Sequence, residues 1–135
     1  MQSMQGVVPP SPSDSTPPLT LNIRNVRTHE ALARFSGDES RYRHWLGDFI
    51  EHGPRTVEKI RHAIDCGEPA DATRLVHSLK GRTSMLGMTQ LHALTLALEM
   101  TLRNGEPIAY WLDDLERTID ATCQDLTLAL RSSST

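Results

Sequence analysis

The chain has 135 residues, a formal net charge of −3 and 38% hydrophobic residues, which suits one domain with a packed core. The mildly acidic charge excludes a general grip on nucleic acid, and no apolar run approaches the roughly 20 residues that span a bilayer. The N-terminus lacks a secretory signal, and the two cysteines, Cys66 and Cys123, match no metal or redox spacing. We therefore expect a soluble, cytoplasmic protein with reduced cysteines.

Residues 1–20 are predicted to form a linker or tail, because they hold five of the eight prolines and much serine. Two interpretations are open, a tether to upstream domains and a plain disordered N-terminus, and we favour the tether. Residues 21–131 are predicted to form the folded domain. Nothing elsewhere can pair with the short apolar stretch at its start, so we expect an extended lead-in that lays Leu21, Ile23 and Val26 against the domain.

A short helix comes first, with Thr28 as its N-cap and Gly37 as its C-terminal glycine. Asp38 caps a second, much longer amphipathic segment that ends at Gly67. A proline inside a helix removes a backbone hydrogen bond and clashes with the preceding turn. We therefore expect a kink or a short break at Gly53–Pro54.

Three further helices follow with short connections. Pro69 opens the third helix at a position that tolerates proline, and Gly87 makes the turn after it. Thr89 is predicted to cap the fourth helix, Asn104–Gly105 to end it, and Pro107 to start the last one. Helical spacing of apolar residues without any strand pattern predicts an all-α fold. The expected architecture is an antiparallel (up-down) four-helix bundle with a short additional N-terminal helix that covers one end.

The third helix presents one histidine to solvent. Its apolar residues share one side at 100° per residue, and they are Ala72, Leu75, Val76, Leu79, Thr83 and Leu86. His77 points away from that side, with Lys80 and Gly81 one turn beyond it. Glycine inside a helix is about 1 kcal/mol less favourable than alanine, so Gly81 indicates a need for space. An exposed imidazole nucleophile, a clear approach and a nearby ammonium suit a transient phosphoryl group.

His-x-x-Lys-Gly with a second glycine ten residues after the histidine resembles the signature of histidine-phosphotransfer (HPt) domains. The motif residues are His77, Lys80, Gly81 and Gly87, with aliphatic Leu79, small Ser84, and Met85 where many members carry a small polar residue. The flanking amphipathic helices are also similar to those of the family. The resemblance covers about residues 28–130.

The resemblance implies a phosphorelay intermediate without independent catalytic activity. His77 would accept a phosphoryl group from a receiver-domain aspartate and pass it to a second receiver, with Lys80 as electrostatic support and Gly81 as steric clearance. Magnesium would belong to the partner receiver, so no bound cofactor is expected. With the N-terminal linker, the resemblance favours the C-terminal module of a hybrid sensor histidine kinase, tethered through the linker to upstream kinase domains and a membrane-bound sensor. A chemotaxis-type kinase domain is closely similar.

Four residues around His77 are predicted to contact the partner, namely Arg74, Ser84, Met85 and Met88. Arg74 and the nearby Arg82 would attract an acidic partner pocket, although a solvated helix face explains either cation equally well. Methionine adapts to several partners, but a core role is equally open for both methionines.

Other functions fit the sequence less well. Six histidines invite a metal site, but the chain lacks the Glu-x-x-His pairs of di-metal bundles. Ser78 and His77 are adjacent on a helix and diverge by 100°, which excludes a hydrolase pair. No glycine-rich phosphate loop is present, so the phosphoryl group must come from another protein. The competing interpretation is a helical interaction module that docks on a signalling partner without carrying phosphate.

Overall fold

The computed structural model describes residues 23–132, and every regular element in this range is a helix. The five helices are α1 (Thr28–Arg34), α2 (Glu39–Asp65), α3 (Pro69–Met85), α4 (Thr89–Arg103) and α5 (Ala109–Ser132). No helix within the described residues combines the length and the apolar character needed to cross a membrane.

The four long helices form a closed ring of packed neighbours. α2 packs against α3, α3 against α4, α4 against α5 and α5 against α2, whereas α1 packs against α2. Because short connections join successive helices, neighbours in the ring run in opposite directions. The prediction of an all-α, up-down four-helix bundle with a short additional N-terminal helix is therefore confirmed.

One apolar core holds the bundle together. Its largest fully buried side chains come from α2, α4 and α5 and from the α3–α4 turn, and they are Tyr42, Phe49, Leu46, Ile60, Leu86, Met88, Leu91, Leu98, Leu115, Ile119, Leu126 and Val57. The buried threonines of α3 and α4 satisfy their hydroxyls on the backbone of the preceding turn: Thr83 donates to the Lys80 carbonyl and Thr101 to the Ala97 carbonyl. The core orients α3, because burying its apolar stripe turns the opposite face to solvent.

The α3–α4 turn is built around a glycine and held by hydrogen bonds from two other segments. Gly87 has φ of +78°, a left-handed conformation that favours glycine. The Arg27 amide donates to the Gly87 carbonyl at 2.8 Å, and the buried Tyr42 hydroxyl donates to the Leu86 carbonyl at 2.9 Å. The predicted role of Gly87 in this turn is confirmed.

Two of the three predicted helix caps are wrong. Asp38 caps α2 as expected, since its side chain accepts from the Arg41 amide at 3.1 Å. α1 instead begins at Thr28 with Arg27 as its N-cap, and Thr28 is buried. α4 begins at Thr89, whose hydroxyl donates to the Asn25 carbonyl at 3.0 Å and makes no cap bond. The Thr89 hydroxyl, which the sequence rule for N-caps assigned to the start of α4, thus makes a tertiary hydrogen bond to Asn25 instead.

Of the kink or short break predicted at Gly53–Pro54, the break is absent, because α2 runs as one helix of 27 residues through Pro54. Phe49 and Val57, one turn to either side of Gly53, are both in the core. Gly53 is itself buried, and a Cβ atom there would lie 3.2 Å from the Phe49 ring. Packing of this continuous apolar face outweighs the one hydrogen bond that proline removes.

The lead-in before α1 lies against the bundle as predicted, with Ile23 buried and Val26 packed on the core. Leu21 is outside the described residues. The expectation that nothing pairs with this segment is wrong at one point, since Val26 and Met88 form an isolated antiparallel bridge. The last helix also begins at Ala109 and not at Pro107, which precedes it.

Candidate functional site

α3 presents His77 on its solvent face. The His77 side chain is 71% exposed, while the opposite face is buried through Ala72, Val76, Leu79 and Thr83. The orientation predicted from the apolar stripe is therefore correct. The imidazole is open to a second protein, which a buried core histidine would not be.

Lys80 lies beside His77 and forms an ion pair with an acidic side chain from α4. The Lys80 Nζ donates to Glu99 Oε1 at 2.9 Å and to Oε2 at 3.1 Å. The lysine side chain is 24% exposed and the glutamate side chain 14% exposed. The sequence predicted an ammonium near the imidazole, and in the structure this ammonium belongs to an ion pair.

Glu99 also faces the imidazole itself. Its Oε2 lies 3.5 Å from the Nδ1 atom of His77. A carboxylate in this position favours the neutral tautomer that carries its proton on Nδ1, because Nδ1–H then donates to it. In that tautomer Nε2 keeps its lone pair and is the nucleophilic atom of the ring.

The charge on Glu99 is secured by the same neighbours. The hydrogen bond from Lys80 is the main cause that lowers the pKa of Glu99 below its ordinary value; burial opposes the shift, and the His77 contact adds to it. Glu99 is therefore ionised at neutral pH, when it can accept from both partners. Sequence reasoning missed this residue, although Glu99 is the one acidic residue of α4 and stands out on that ground.

Gly81 leaves open space next to the imidazole. A Cβ atom at this position would meet no heavy atom of the described residues within 4 Å, apart from the backbone of its own helix, and Gly81 does not have a left-handed φ. Neither the backbone nor the packing therefore requires glycine here. The open space lies one helical turn beyond His77, on the same face.

The four residues predicted to contact a partner differ in exposure. Arg74 is 71% exposed and lies 3.6 Å from Asp71, and Ser84 is also exposed. Met85 is half-buried and packs on the core. Met88 is 1% exposed, so it takes the core role and its side chain is not available to a docking partner.

The remaining histidines do not assemble into a site. Within residues 23–132, no group of three or more histidine, cysteine, aspartate or glutamate side chains is placed to hold a metal ion. The closest His–Cys pair is His62 and Cys66, whose Nε2 and Sγ atoms are 3.5 Å apart at the exposed end of α2.

The comparisons with known proteins agree with this geometry. The family model described as "Hpt domain" matches residues 44–131, more than half of the chain, and the match includes His77. The fold is similar to the crystal structure of the HPT domain from an Hpt sensor hybrid histidine kinase of Shewanella, with a TM-score of 0.70 and 18% sequence identity over 82% of this chain and 97% of that one. No curated protein matches the sequence significantly. The chain belongs to the Hpt family, and its function is histidine phosphotransfer in a two-component phosphorelay.

Proposed function

We propose that His77 is the phosphoacceptor of this domain and that Nε2 is the reacting atom. The observation that carries the proposal is the 71% exposed imidazole with its Nδ1 atom turned to Glu99. The Nε2 lone pair attacks the phosphorus of an aspartyl phosphate on a receiver domain. A nitrogen–phosphorus bond forms as the phosphorus–oxygen bond breaks, and the aspartate carboxylate leaves with the electron pair. A second receiver takes the phosphoryl group by the reverse step.

Glu99 and Lys80 support opposite charges in this transfer. The imidazole ring gains positive charge as Nε2 bonds to phosphorus, and the Glu99 carboxylate beside Nδ1 stabilises that charge. The Lys80 ammonium offers its remaining hydrogen to the negative oxygens of the transferring group. Gly81 supports the proposal by leaving room for a receiver to bring its aspartyl phosphate to the ring.

The phosphoryl group comes from a partner, because the sequence has no phosphate-binding loop for a nucleotide. In our proposal, one receiver domain donates the phosphoryl group, a second receiver accepts it, and the magnesium ion is bound by the receiver. The structurally similar domain comes from a hybrid histidine kinase. We propose that this chain is likewise a module of such a kinase and lies in the cytoplasm, with residues 1–20 as the tether to upstream kinase domains.

The test is transfer of radioactive phosphate from a phosphorylated receiver domain to the full chain. Labelling that is lost in acid and survives base identifies phosphohistidine, since an aspartyl phosphate does not survive base. His77→Gln should abolish labelling and change the unfolding free energy by no more than about 0.5 kcal/mol, because the side chain is exposed. His29→Gln is the matched control, since His29 is also exposed, and it should label like the wild type.

Labelling that persists in His77→Gln would assign the reaction to another residue. A domain that binds several receivers but takes label from none of them would support the alternative function, a docking module that carries no phosphate. In both cases His77 would be an ordinary surface histidine.

A further inference from the structure

The two flanks of His77 differ in chemistry. On the α4 side, Lys80 is paired with Glu99, and two large apolar side chains are exposed beyond the pair. Leu96 is 41% exposed and Met100 is 55% exposed. They are four residues apart on α4 and therefore share one face. Leu96 lies 60° around the helix from Glu99, given 100° per residue. This flank thus exposes apolar side chains, and beyond the Lys80–Glu99 pair its nearby charge is that of Arg103, which acts on Glu99.

The α2 side holds a polar groove of about 360 Å³ between α2 and α3. Ser78 lines it, so the groove begins at the residue next to His77. Arg82, one turn farther along α3, lines the same groove together with Asp48 and Lys59 of α2. We refer to it below as the α2–α3 groove.

The groove has an excess of positive charge. Asp48 lies 3.3 Å from the guanidinium of Arg82 and 3.4 Å from His52 Nε2, so its carboxylate is already shared. Lys59 is exposed, and within the described part of the chain no hydrogen bond or ion pair involves its ammonium. An anion that enters the groove therefore meets the unshared Lys59 ammonium in addition to the shared guanidinium of Arg82.

The charges of whole helices point the same way. α3 carries three basic residues, Arg74, Lys80 and Arg82, against one acidic residue, Asp71. α5 carries five acidic residues, Asp113, Asp114, Glu116, Asp120 and Asp125, against two basic ones, Arg117 and Arg131. Because α5 packs against α2 and α4, it lies diagonally across the bundle from α3. The bundle is thus positive on the His77 side and negative on the far side.

We propose that the α2–α3 groove seats an acidic side chain of the receiver that exchanges phosphate with His77, while Leu96 and Met100 contact an apolar part of the same receiver surface. The inference rests on the proposed function and adds the orientation of the partner. A receiver that binds magnesium at its phosphorylation site needs carboxylates there, and a positive groove beside the acceptor complements them. The negative α5 face disfavours docking in the opposite orientation.

Lys59→Glu is the decisive variant, and Arg117→Glu is its matched control. Both changes replace an exposed cation by an anion, but Arg117 lies on α5 and pairs with Asp114. The quantity measured is the second-order rate constant of phosphoryl transfer from a receiver that labels the wild-type chain, at several ionic strengths. We expect Lys59→Glu to slow transfer by about five- to tenfold at low salt, with the deficit shrinking as salt screens the groove. Arg117→Glu should change the rate by less than about twofold.

Each outcome decides the matter. If Lys59→Glu transfers phosphate to His77 at the wild-type rate, the proposed role of the α2–α3 groove is overturned and the proposed function is unaffected. Equal losses in both variants also overturn it, since the effect would then be one of net charge. Failure of the wild type to take label at His77 removes the proposed function and this inference with it. Thermal unfolding of both variants checks that they fold. Lys59 is exposed, and among residues 23–132 no hydrogen bond or ion pair of its ammonium would be lost.

Discussion

Gly81 and Gly87 lie six residues apart in one sequence motif, yet their surroundings are opposite. Gly87 has φ of +78°, and a Cβ atom there would lie 2.7 Å from the Arg27 carbonyl oxygen. Gly81 is exposed and helical, and a Cβ atom there would meet open space. The fold therefore requires glycine at position 87, whereas at position 81 it would be more stable with alanine. A single motif combines a glycine that shapes the domain with one that our proposed function explains.

The largest effect is expected when the space at Gly81 is filled. Gly81→Leu should slow transfer from a receiver at least about a hundredfold, or about 2.7 kcal/mol, because the new side chain stands where the receiver approaches. The same change should raise the unfolding free energy by about 0.5–1 kcal/mol, since leucine is the better helix former. Transfer kinetics and urea unfolding measure the two effects on one protein.

Gly47→Leu is the control for this variant, because Gly47 is also a helical glycine beside open space, but on α2. It should change transfer little. A small phosphodonor such as phosphoramidate should still label His77 in Gly81→Leu, which shows that the imidazole itself is intact. If Gly81→Leu accepts phosphate from the receiver at the wild-type rate, the receiver does not occupy this space.

Gly87→Ala should have the opposite profile. Alanine in this left-handed conformation is about 1 kcal/mol less stable than glycine. The close contact with the Arg27 backbone oxygen adds to this loss of stability, because a carbonyl cannot move aside as a flexible side chain can. We expect a loss of about 2 kcal/mol in unfolding free energy or more, with normal transfer per folded molecule.

Gly105→Ala separates the two contributions at Gly87, because Gly105 has φ of +70° but open space around it. Gly105→Ala should lower the unfolding free energy by only about 1 kcal/mol, the part due to the left-handed backbone conformation. Equal losses at Gly87 and Gly105 would mean that the Arg27 carbonyl yields, and that the turn is less rigid than the structure indicates.

Tyr42 extends the comparison to a second support of the same turn. Tyr42→Phe removes the buried hydrogen bond to the Leu86 carbonyl and should reduce the unfolding free energy by about 1 kcal/mol at neutral pH. Denaturant unfolding measures this loss, and transfer per folded molecule should not change.

The pH dependence identifies the tyrosine hydroxyl as the cause. Burial raises the pKa of Tyr42 from 10.0 to about 12, so the folded state holds this proton more tightly than the unfolded chain. The stabilisation is complete below pH 10 and is lost as the pH rises from 10 toward 12. Tyr42→Phe should lack the loss of stability that Tyr42 causes at alkaline pH. It should keep the loss due to Cys123, whose pKa burial raises to about 11. Identical alkaline profiles would contradict this assignment.

The sequence predicts the local features of this domain well. Asp38 at the start of α2 and the glycine of the α3–α4 turn need only their neighbours in the chain, and the exposure of His77 needs only the helical period of α3. The cap at Thr89 was predicted wrongly and no break occurs at Pro54, because contacts from distant segments outweigh the local rule: the Asn25 carbonyl accepts from the threonine hydroxyl, and core packing carries α2 through the proline.

Glu99 could not be placed from the sequence, for a different reason. Its contact with His77 joins α3 to α4 across 22 residues, so it depends on which turn of α4 lies beside which turn of α3. That register is set by interdigitation of the whole interface, and helical periodicity gives the inward face of each helix without the shift between them. The exposure of His77 was thus predictable and the partner of its Nδ1 atom was not.

The smallest expected effect tests that missed residue. Glu99→Gln removes the negative charge that, in our proposal, stabilises the positive imidazole of phosphorylated His77, while the amide oxygen can still accept from Nδ1–H. We expect the phosphorylated fraction of His77, at equilibrium with one receiver, to fall by about three- to fivefold, with less than about 1 kcal/mol lost in stability. Glu99→Ala also loses the acceptor, so its transfer should be slower than that of Glu99→Gln.

The pH profile of stability ties the effect to the carboxylate. Lys80 lowers the pKa of Glu99 in the folded state, so the stabilisation from this group is present at neutral pH and is lost as the pH falls through its folded pKa. Glu99→Gln should lack this acid loss, whereas the control Glu106→Gln, in the exposed α4–α5 connection, should keep it. If the Gln and Ala variants transfer at the same rate and reach the same equilibrium, Glu99 acts only through Lys80. The difference between them measures how much the Nδ1 contact contributes to the acceptor.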